Sequence, residues 1–281
     1  MDDPAGRRAL TTDASPLIPD GLDATLVLVR HGESTFIAEG RFQGQAETPL
    51  TPTGLRQAAL VADRLARPHE SPALPVPGGD PIEIVHSPLQ RTSQTADAIE
   101  TAMLATGQLV ARRPDAGFLE MDQGAWQGLH RGEIAERYGP QLAAWRRTPL
   151  EAWAPGGESL PDMQARVRPA LATMLGRLAE GHPPGTLDRS QVAGYAEPHP
   201  DHPWSLAVGH DGIFKVTLLT LFDLPLERFW MWSMDLCGIT IVEIRAGRPV
   251  MRAHNLTAHL ASLADARAVA ALDERAAGGA L

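Results

Sequence analysis

The stretch "LVLVRHGES", residues 26–34, sets a run of Leu and Val directly against arginine, histidine, glycine and glutamate. Extended to "ATLVLVR" (24–30), it is short and apolar, the composition of a strand buried on both faces. Such strands belong to layered α/β sheets, where ligands bind beyond the strands' carboxyl ends. The cation and imidazole at positions 30 and 31 stand at that end.

The same design recurs along the chain. "IEIVHS" (82–87) reads as a second strand, and "PLQRTSQTADAIETAML" (88–104) as a helix opening on Pro88. "WSLAVGH" (204–210) repeats the first strand and ends on Gly-His, with "GIFKVTLLTLF" (212–222) as the helix after it. Leu55, Ala58, Ala59, Ala62 and Leu65 recur at helical spacing in 51–67, with Thr51 or Thr53 as cap and Pro52 suited to a first turn. Residues 157–180 form a long helical pattern, and "GITIVEI" and "PVMRAHN" a terminal hairpin across "RAGR". The Pro/Gly-rich segments 71–81 and 181–203 read as a loop insertion and a surface excursion. The expected fold is α/β: a three-layer sandwich whose central, mainly parallel sheet is flanked by helices on both faces. Its domain spans 23–262, after a loosely ordered arm (1–22) and before a C-terminal helix or tail (263–281).

Composition narrows the function classes. With 281 residues, 43% of them hydrophobic and 21% charged, the chain is an ordinary globular protein with room for a large core. The net charge of -9 argues against general binding of nucleic acid or anionic membrane, both of which need a basic surface. Cys237 is the only cysteine, so neither an internal disulfide nor a cysteine metal cluster is expected. No stretch resembles a signal peptide or a membrane span, so the expectation is a cytoplasmic enzyme, with a homodimer left open. His69, His182, His199 and His202 lie in Pro-rich loops without metal-ligand spacing; they read as exposed, and no metal or other cofactor is expected.

Three strand ends carry chemistry: Arg30-His31, Ser87 to Arg91, and Gly209-His210-Asp211. If they open on one sheet edge, two arginines and two histidines converge. Guanidinium forks offer bidentate donors to phosphate oxygens, which lysine does not. An imidazole among them is a nucleophile suited to in-line attack on phosphorus, forming a phosphohistidine while the cations stabilise the spreading charge. "SPL" at 87–89 reads as helix-opening chemistry, because no G-x-S-x-G elbow surrounds it.

"LVRHGES", "SPLQRTSQTA", "LEMDQGAWQG", "GGESL" and "VGHDG", in that order, resemble the histidine phosphatase superfamily on its phosphoglycerate-mutase-like branch. The resemblance covers residues 24 to 260 and leaves the arm and the 181–203 excursion outside it. It implies His31 as the phosphorylated nucleophile and Arg30, Arg91 and His210 as the phosphate pocket. It implies Glu120 as the general acid, and Gln43 and Gly44 as a loop touching substrate. Asp211 and Gly212 would add a helix N-terminus whose backbone N–H groups face the anion. Glu33 and Glu158 read as capping or paired carboxylates. Trp126, Trp145 and Trp153 are candidates for the pocket wall, and Trp204, Trp230 and Trp232 for the core.

Within that family, mutases return the phosphoryl group to substrate and phosphatases pass it to water. The resemblance implies a long capping segment in mutases, whereas Glu120 and Glu158 are close here, and Phe36-Ile37 replaces a polar Trp-Asn pair. Both departures favour hydrolysis of a small phosphorylated metabolite, a phosphosugar or a phosphorylated sugar acid. "WRRTP" (145–149) resembles the paired arginines with which mutases hold a carboxylate, so Arg146 and Arg147 are candidates for a second anionic group. An ordinary basic helix end explains them as well. A phosphoglycerate mutase, a protein phosphatase and a catalytically weak regulatory binding protein are the competing functions. Intact Arg30, His31, Arg91, Glu120 and His210 weigh against the last.

Overall fold

The computed structural model describes residues 16–180 and 201–263. Six strands form one sheet: β1 (Ala24–Arg30), β2 (Glu83–His86), β3 (Ala111–Pro114), β4 (Trp204–Gly209), β5 (Ile239–Arg245) and β6 (Arg248–Leu256). Their order is β3-β2-β4-β1-β5-β6. β3, β2, β4 and β1 run parallel, and β5 is antiparallel to both its neighbours. The sheet is thus mainly parallel.

Alternation along β1 explains the layers. Leu26 and Leu28 point into one apolar cluster with Met163, Leu171, Ile213 and Phe214; Val27 and Val29 point into the other with Val61, Leu65, Ile99 and Met103. The first cluster lies under helices α5 (Leu160–Ala179) and α6 (Asp211–Leu221). The second lies under α2 (Pro52–Ala66) and α3 (Gln90–Ala105). Helices on both faces keep water from the central strands, which is why β1 and β4 are apolar but for Thr25, Ser205 and the Arg30 tip. The other α-helices among the described residues are the short α1 (Thr35–Ala38) and α4 (Arg131–Arg147).

The sequence reading gives α4 no range and allows only a helix end at Arg146 and Arg147. Pro140 sits inside it, and Tyr138 leaves the helical region at φ -130° and ψ 19°. Proline removes a backbone donor and crowds the preceding turn, so two helical pieces meet at a kink. β3, "ARRP", is also absent from the sequence reading, because an edge strand of four half-exposed residues carries no apolar run. At the other end, Leu17 and Ile18 pack on the core and Leu22 is buried. Packed chain therefore begins inside the segment read as a loose arm; residues 1–15, the 181–200 part of the excursion and 264–281 lie outside the described residues.

One close approach fixes the tip of β1. A Cβ on Gly54 would lie 1.9 Å from the Glu33 carbonyl oxygen, and one on Gly32 would lie 2.5 Å from the Gly54 oxygen. The first turn of α2 therefore rests backbone-to-backbone on residues 32–33, where the Thr51 N–H also donates to the Glu33 oxygen at 2.9 Å. Gly54→Ala is expected to destabilise the fold by about 3 kcal/mol despite its better helix propensity, since the clash is with backbone and cannot relax by a rotamer. Urea unfolding checks this; a neutral or stabilising effect would contradict the contact.

Candidate active site

The tips of β2, β4 and β1 are neighbours, so the three chemical strand ends meet on one edge. The His31 N–H donates to the Gly209 oxygen at 3.0 Å, and the Ser87 N–H to the Val208 oxygen at 3.0 Å. The His31 and His210 rings consequently stand edge to face, 5.1 Å apart.

His31 is almost fully buried, and its Nδ1 lies 2.6 Å from the Gly32 carbonyl oxygen. A carbonyl only accepts, so Nδ1 carries the proton and Nε2 keeps its lone pair. Burial, then the charges of Arg91 and Arg30, hold its pKa well below the usual histidine value. The ring is neutral at neutral pH and its Nε2 is nucleophilic.

His210 is fully buried and neutral for the same reason, burial first and then Arg91. Arg91 Nε donates to His210 Nδ1 at 3.3 Å, which leaves Nε2–H to donate to Ser87 Oγ at 2.9 Å. Ser87 is thus a partner of His210, which its short motif did not reveal; α3 itself opens later than expected, at Gln90 after Leu89.

Arg91 departs from the expected open fork. It is fully buried, with Nη1 donating to the Ala46 oxygen and Nη2 to the Gly44 oxygen, both at 2.8 Å. Burial brings its pKa down to about 10, so it remains a cation. Its charge acts on the site, while loop carbonyls occupy most of its donors. Gly44 turns there with φ +52°, a region favouring glycine. Gln43 Oε1 accepts from Ser34 Oγ and from Thr48 Oγ1, which ties the same loop to the start of α1. Arg30 donates through Nη1 to the Met234 oxygen, and its buried Nε has no hydrogen-bond partner among the described residues.

Glu120 lies across the cavity. Its Oε1 accepts the Met121 N–H at 2.8 Å and the Ile213 N–H at 3.1 Å, and its Oε2 accepts the Gly212 N–H at 3.1 Å. This corrects the expected role of Gly212: the N-terminus of α6 grips the Glu120 carboxylate instead of facing a bound anion. Three of the four lone-pair positions are taken, so a proton on this carboxyl belongs on Oε2. Burial, followed by the charge of Asp211, raises the Glu120 pKa; the backbone hydrogen bonds and Arg91 oppose them without cancelling them. No motif marks Arg166, which fixes the chain before Glu120. It donates to the Gly117 and Leu119 oxygens and pairs with Glu158, whose carboxylate is therefore structural, as expected. Glu33 accepts from Thr51 Oγ1 at 2.7 Å and is likewise a local partner.

A cavity of about 420 Å³ opens over these groups, lined by Arg30, His31, Gln43, Gly44, Glu120 and Asp211, with Arg41, Arg131 and Arg146 also in its wall. Arg91 and His210 sit behind this wall. Arg146 and Arg147 both come from the exposed last turn of α4; Arg146 lines this cavity and the adjoining groove, whereas Arg147 lines neither, which leaves it as the basic helix end that was the other reading of "WRRTP". The tryptophans are also reassigned in part. Trp126 is buried in the core and Trp153 lines neither space, while Trp230, expected in the core, is 46% exposed and lines a groove with Trp145. Another cavity of about 420 Å³ lies beside the C-terminal end of α2 among Arg67, His69 and Asp80, and contains none of the strand-end residues.

This geometry, with neutral imidazoles, buried guanidinium and a carboxyl opposite, belongs to phosphoryl-transfer chemistry, and the comparisons agree. The sequence profile of the histidine phosphatase superfamily (branch 1) matches residues 26–186 and 189–257, so the chain belongs to that superfamily. The match runs through most of 181–203, a stretch expected to lie outside the resemblance. The chain is a phosphatase of this family. It is 27% identical to phosphoserine phosphatase 1 of Hydrogenobacter thermophilus over 84% of this chain and 93% of that one. It is 34% identical to glucosyl-3-phosphoglycerate phosphatase of Mycobacterium tuberculosis over 73% of this chain and 78% of that one. A solved complex of mycobacterial glucosyl-3-phosphoglycerate phosphatase with VO3 superposes with a TM-score of 0.66 at 26% identity, covering 83% of this chain and 99% of that one.

Proposed function

We propose that the chain hydrolyses a small phosphosugar or phosphorylated sugar acid through a phosphohistidine at Nε2 of His31. The observation that carries this reading is His31 itself, a neutral imidazole with its lone pair on Nε2, in the wall of a cation-lined cavity opposite Glu120. His31 Nε2 attacks phosphorus in line; the bond to the leaving oxygen breaks as Glu120 Oε2 gives that oxygen its proton. The Nδ1–H bond to Gly32 steadies the positive charge that the ring gains. Water then attacks phosphorus, Glu120 takes its proton, and the nitrogen–phosphorus bond breaks to restore His31. The charges of Arg30 and Arg91 stabilise the transferring group, and His210 holds Arg91 in place through Nδ1.

No metal is assigned to the reaction, and among the described residues no group of three His, Cys, Asp or Glu side chains is placed to hold one. Turnover of p-nitrophenyl phosphate is expected to be unchanged by EDTA; strong inhibition reversed by a divalent ion would overturn the metal-free reading. A panel of phosphosugars, phosphoglycerate and phosphopeptides tests the substrate class, with small esters expected to be the better substrates.

Both relatives' names describe substrates with a carboxylate close to the phosphate. Arg146 is the group we assign to it: like Arg30 and Arg131 it is in the cavity wall without an ion pair among the described residues, and of the three only Arg146 also lines the adjoining groove. Arg146→Met is expected to raise KM about tenfold for phosphorylated acids relative to neutral phosphosugars, the scale of one charge-assisted hydrogen bond. Arg147→Met should show no such selectivity. Equal effects of the two changes would return Arg146 to the role of a basic helix end.

A further inference from the structure

Among the described residues lining the catalytic cavity, Asp211 is the one negative charge besides Glu120, set among the cations Arg30, Arg41, Arg131 and Arg146. An acid in that place repels a phosphate, so its presence calls for a use. Behind it stands Lys215, a buried cation with no part in the steps above. Resting on the phosphatase reading above, we propose that Asp211 and Lys215 are positioning residues for the proton of the general acid: Lys215 keeps Asp211 ionised, and the Asp211 charge keeps the proton on Glu120.

Helix α6 builds the arrangement. Asp211 opens it and Lys215 follows one turn later, with Nζ 2.7 Å from Asp211 Oδ2. A pair on a helix surface is wet at both ends and contributes little. Here the Lys215 side chain is 8% exposed, and its Nζ lies 5.4 Å from the Phe229 ring centre and 5.2 Å from that of Trp230. A buried ammonium is costly without a counter-charge, and ring faces supply only part of one, so Lys215 needs Asp211 as an anion. The next two residues of the helix, Gly212 and Ile213, are those whose N–H groups grip the Glu120 carboxylate. Both acids are thus held at one helix start.

Two carboxyls facing an incoming phosphate compete for one proton. The ammonium behind Asp211 makes it the one that stays ionised, so the proton goes to Glu120. Most other charges around Glu120 favour its ionised form: Arg91 from α3, Arg30 from the end of β1, Arg146 from α4, and Arg166 from α5, whose Nη2 reaches the Glu120 backbone oxygen at 3.3 Å. His31 and His210 are neutral. Glu158 is taken up by Arg166, and Asp122 accepts the Gly124 N–H at 2.8 Å. Besides burial, Asp211 is what holds the proton in place.

The test reads the pH at which kcat/KM falls for an alkyl phosphate from the substrate panel, with p-nitrophenyl phosphate as the check of activity. Asp211→Asn removes the charge at nearly constant shape, and the fall is expected about half a pH unit or more below that of wild type. Lys215→Met leaves Asp211 uncompensated, and the fall is expected a similar distance above. The position of the fall is read and not its height, because the Asp211 charge also acts on substrate affinity. A purely structural role would lower activity at every pH without moving it. Should Lys215→Met fail to fold, Asp211→Asn decides alone. An unmoved or oppositely moved fall in either folded variant would overturn the proposal and leave the phosphatase reading intact. Wild-type protein that hydrolyses p-nitrophenyl phosphate but shows no fall with an alkyl ester would overturn Glu120 as the acid, and the proposal with it. Failure on p-nitrophenyl phosphate as well would overturn the phosphatase reading.

Discussion

Replacing His31 by alanine is expected to lower kcat on p-nitrophenyl phosphate and on any natural ester by about 10⁴-fold or more. Removing a covalent nucleophile closes the two-step route and leaves only the modest catalysis of binding and charge stabilisation. The side chain's one hydrogen bond runs to the adjacent Gly32 oxygen, so the fold should survive the change, and circular dichroism checks that it does. Because Arg91, Arg30 and burial keep His31 neutral well below the usual histidine pKa, protonation of the nucleophile should not limit wild-type activity at neutral or mildly acidic pH. A folded His31→Ala protein within tenfold of wild type would show that phosphorus is attacked by something else.

The second large effect belongs to Glu120. General acid catalysis contributes about 10²- to 10⁴-fold when the leaving group is poor. Glu120→Gln should therefore cost about 10³-fold for phosphorylation by an alkyl phosphate, and far less with p-nitrophenolate, which leaves without a proton. Single-turnover rates of His31 phosphorylation separate the two. Equal losses would move the acid role elsewhere, with Asp122 and Asp211 the next carboxylates. The pH dependence has a definite sign: the reactive form of Glu120 is protonated, and its pKa lies above the ordinary carboxylate value. With the alkyl substrate, kcat/KM should fall as pH rises through that raised pKa, and Glu120→Gln should abolish this fall.

What the sequence shows plainly is what buried strands and their tips must show. Apart from Thr25 and Ser205, β1 and β4 are apolar up to their tips because both faces are covered, and the tips carry Arg30, His31 and His210, so sheet, layers and the residues of the candidate site are legible together. β3 and α4 are not, the one being short and exposed, the other interrupted by Pro140. Contacts between distant segments are harder still. Gly212 looks like an anion-binding helix start until the fold brings Glu120 across 92 positions to occupy it. Arg91 looks like an open fork until the turn at Gly44 places two carbonyls on it. Trp230 sits in an irregular "ERFWMW" run with no periodicity to separate wall from core.

The central claim is a phosphoryl group on Nε2 of His31. The most direct measurement is to quench the enzyme during turnover of p-nitrophenyl phosphate under alkaline conditions, locate the modified residue by peptide mass spectrometry, and identify the isomer by phosphorus NMR. The Nδ1–H bond to the Gly32 oxygen predicts one phosphoryl group, at His31, linked through Nε2. A phosphoryl group at Nδ1 or on another residue, or none during demonstrated turnover, would contradict the account.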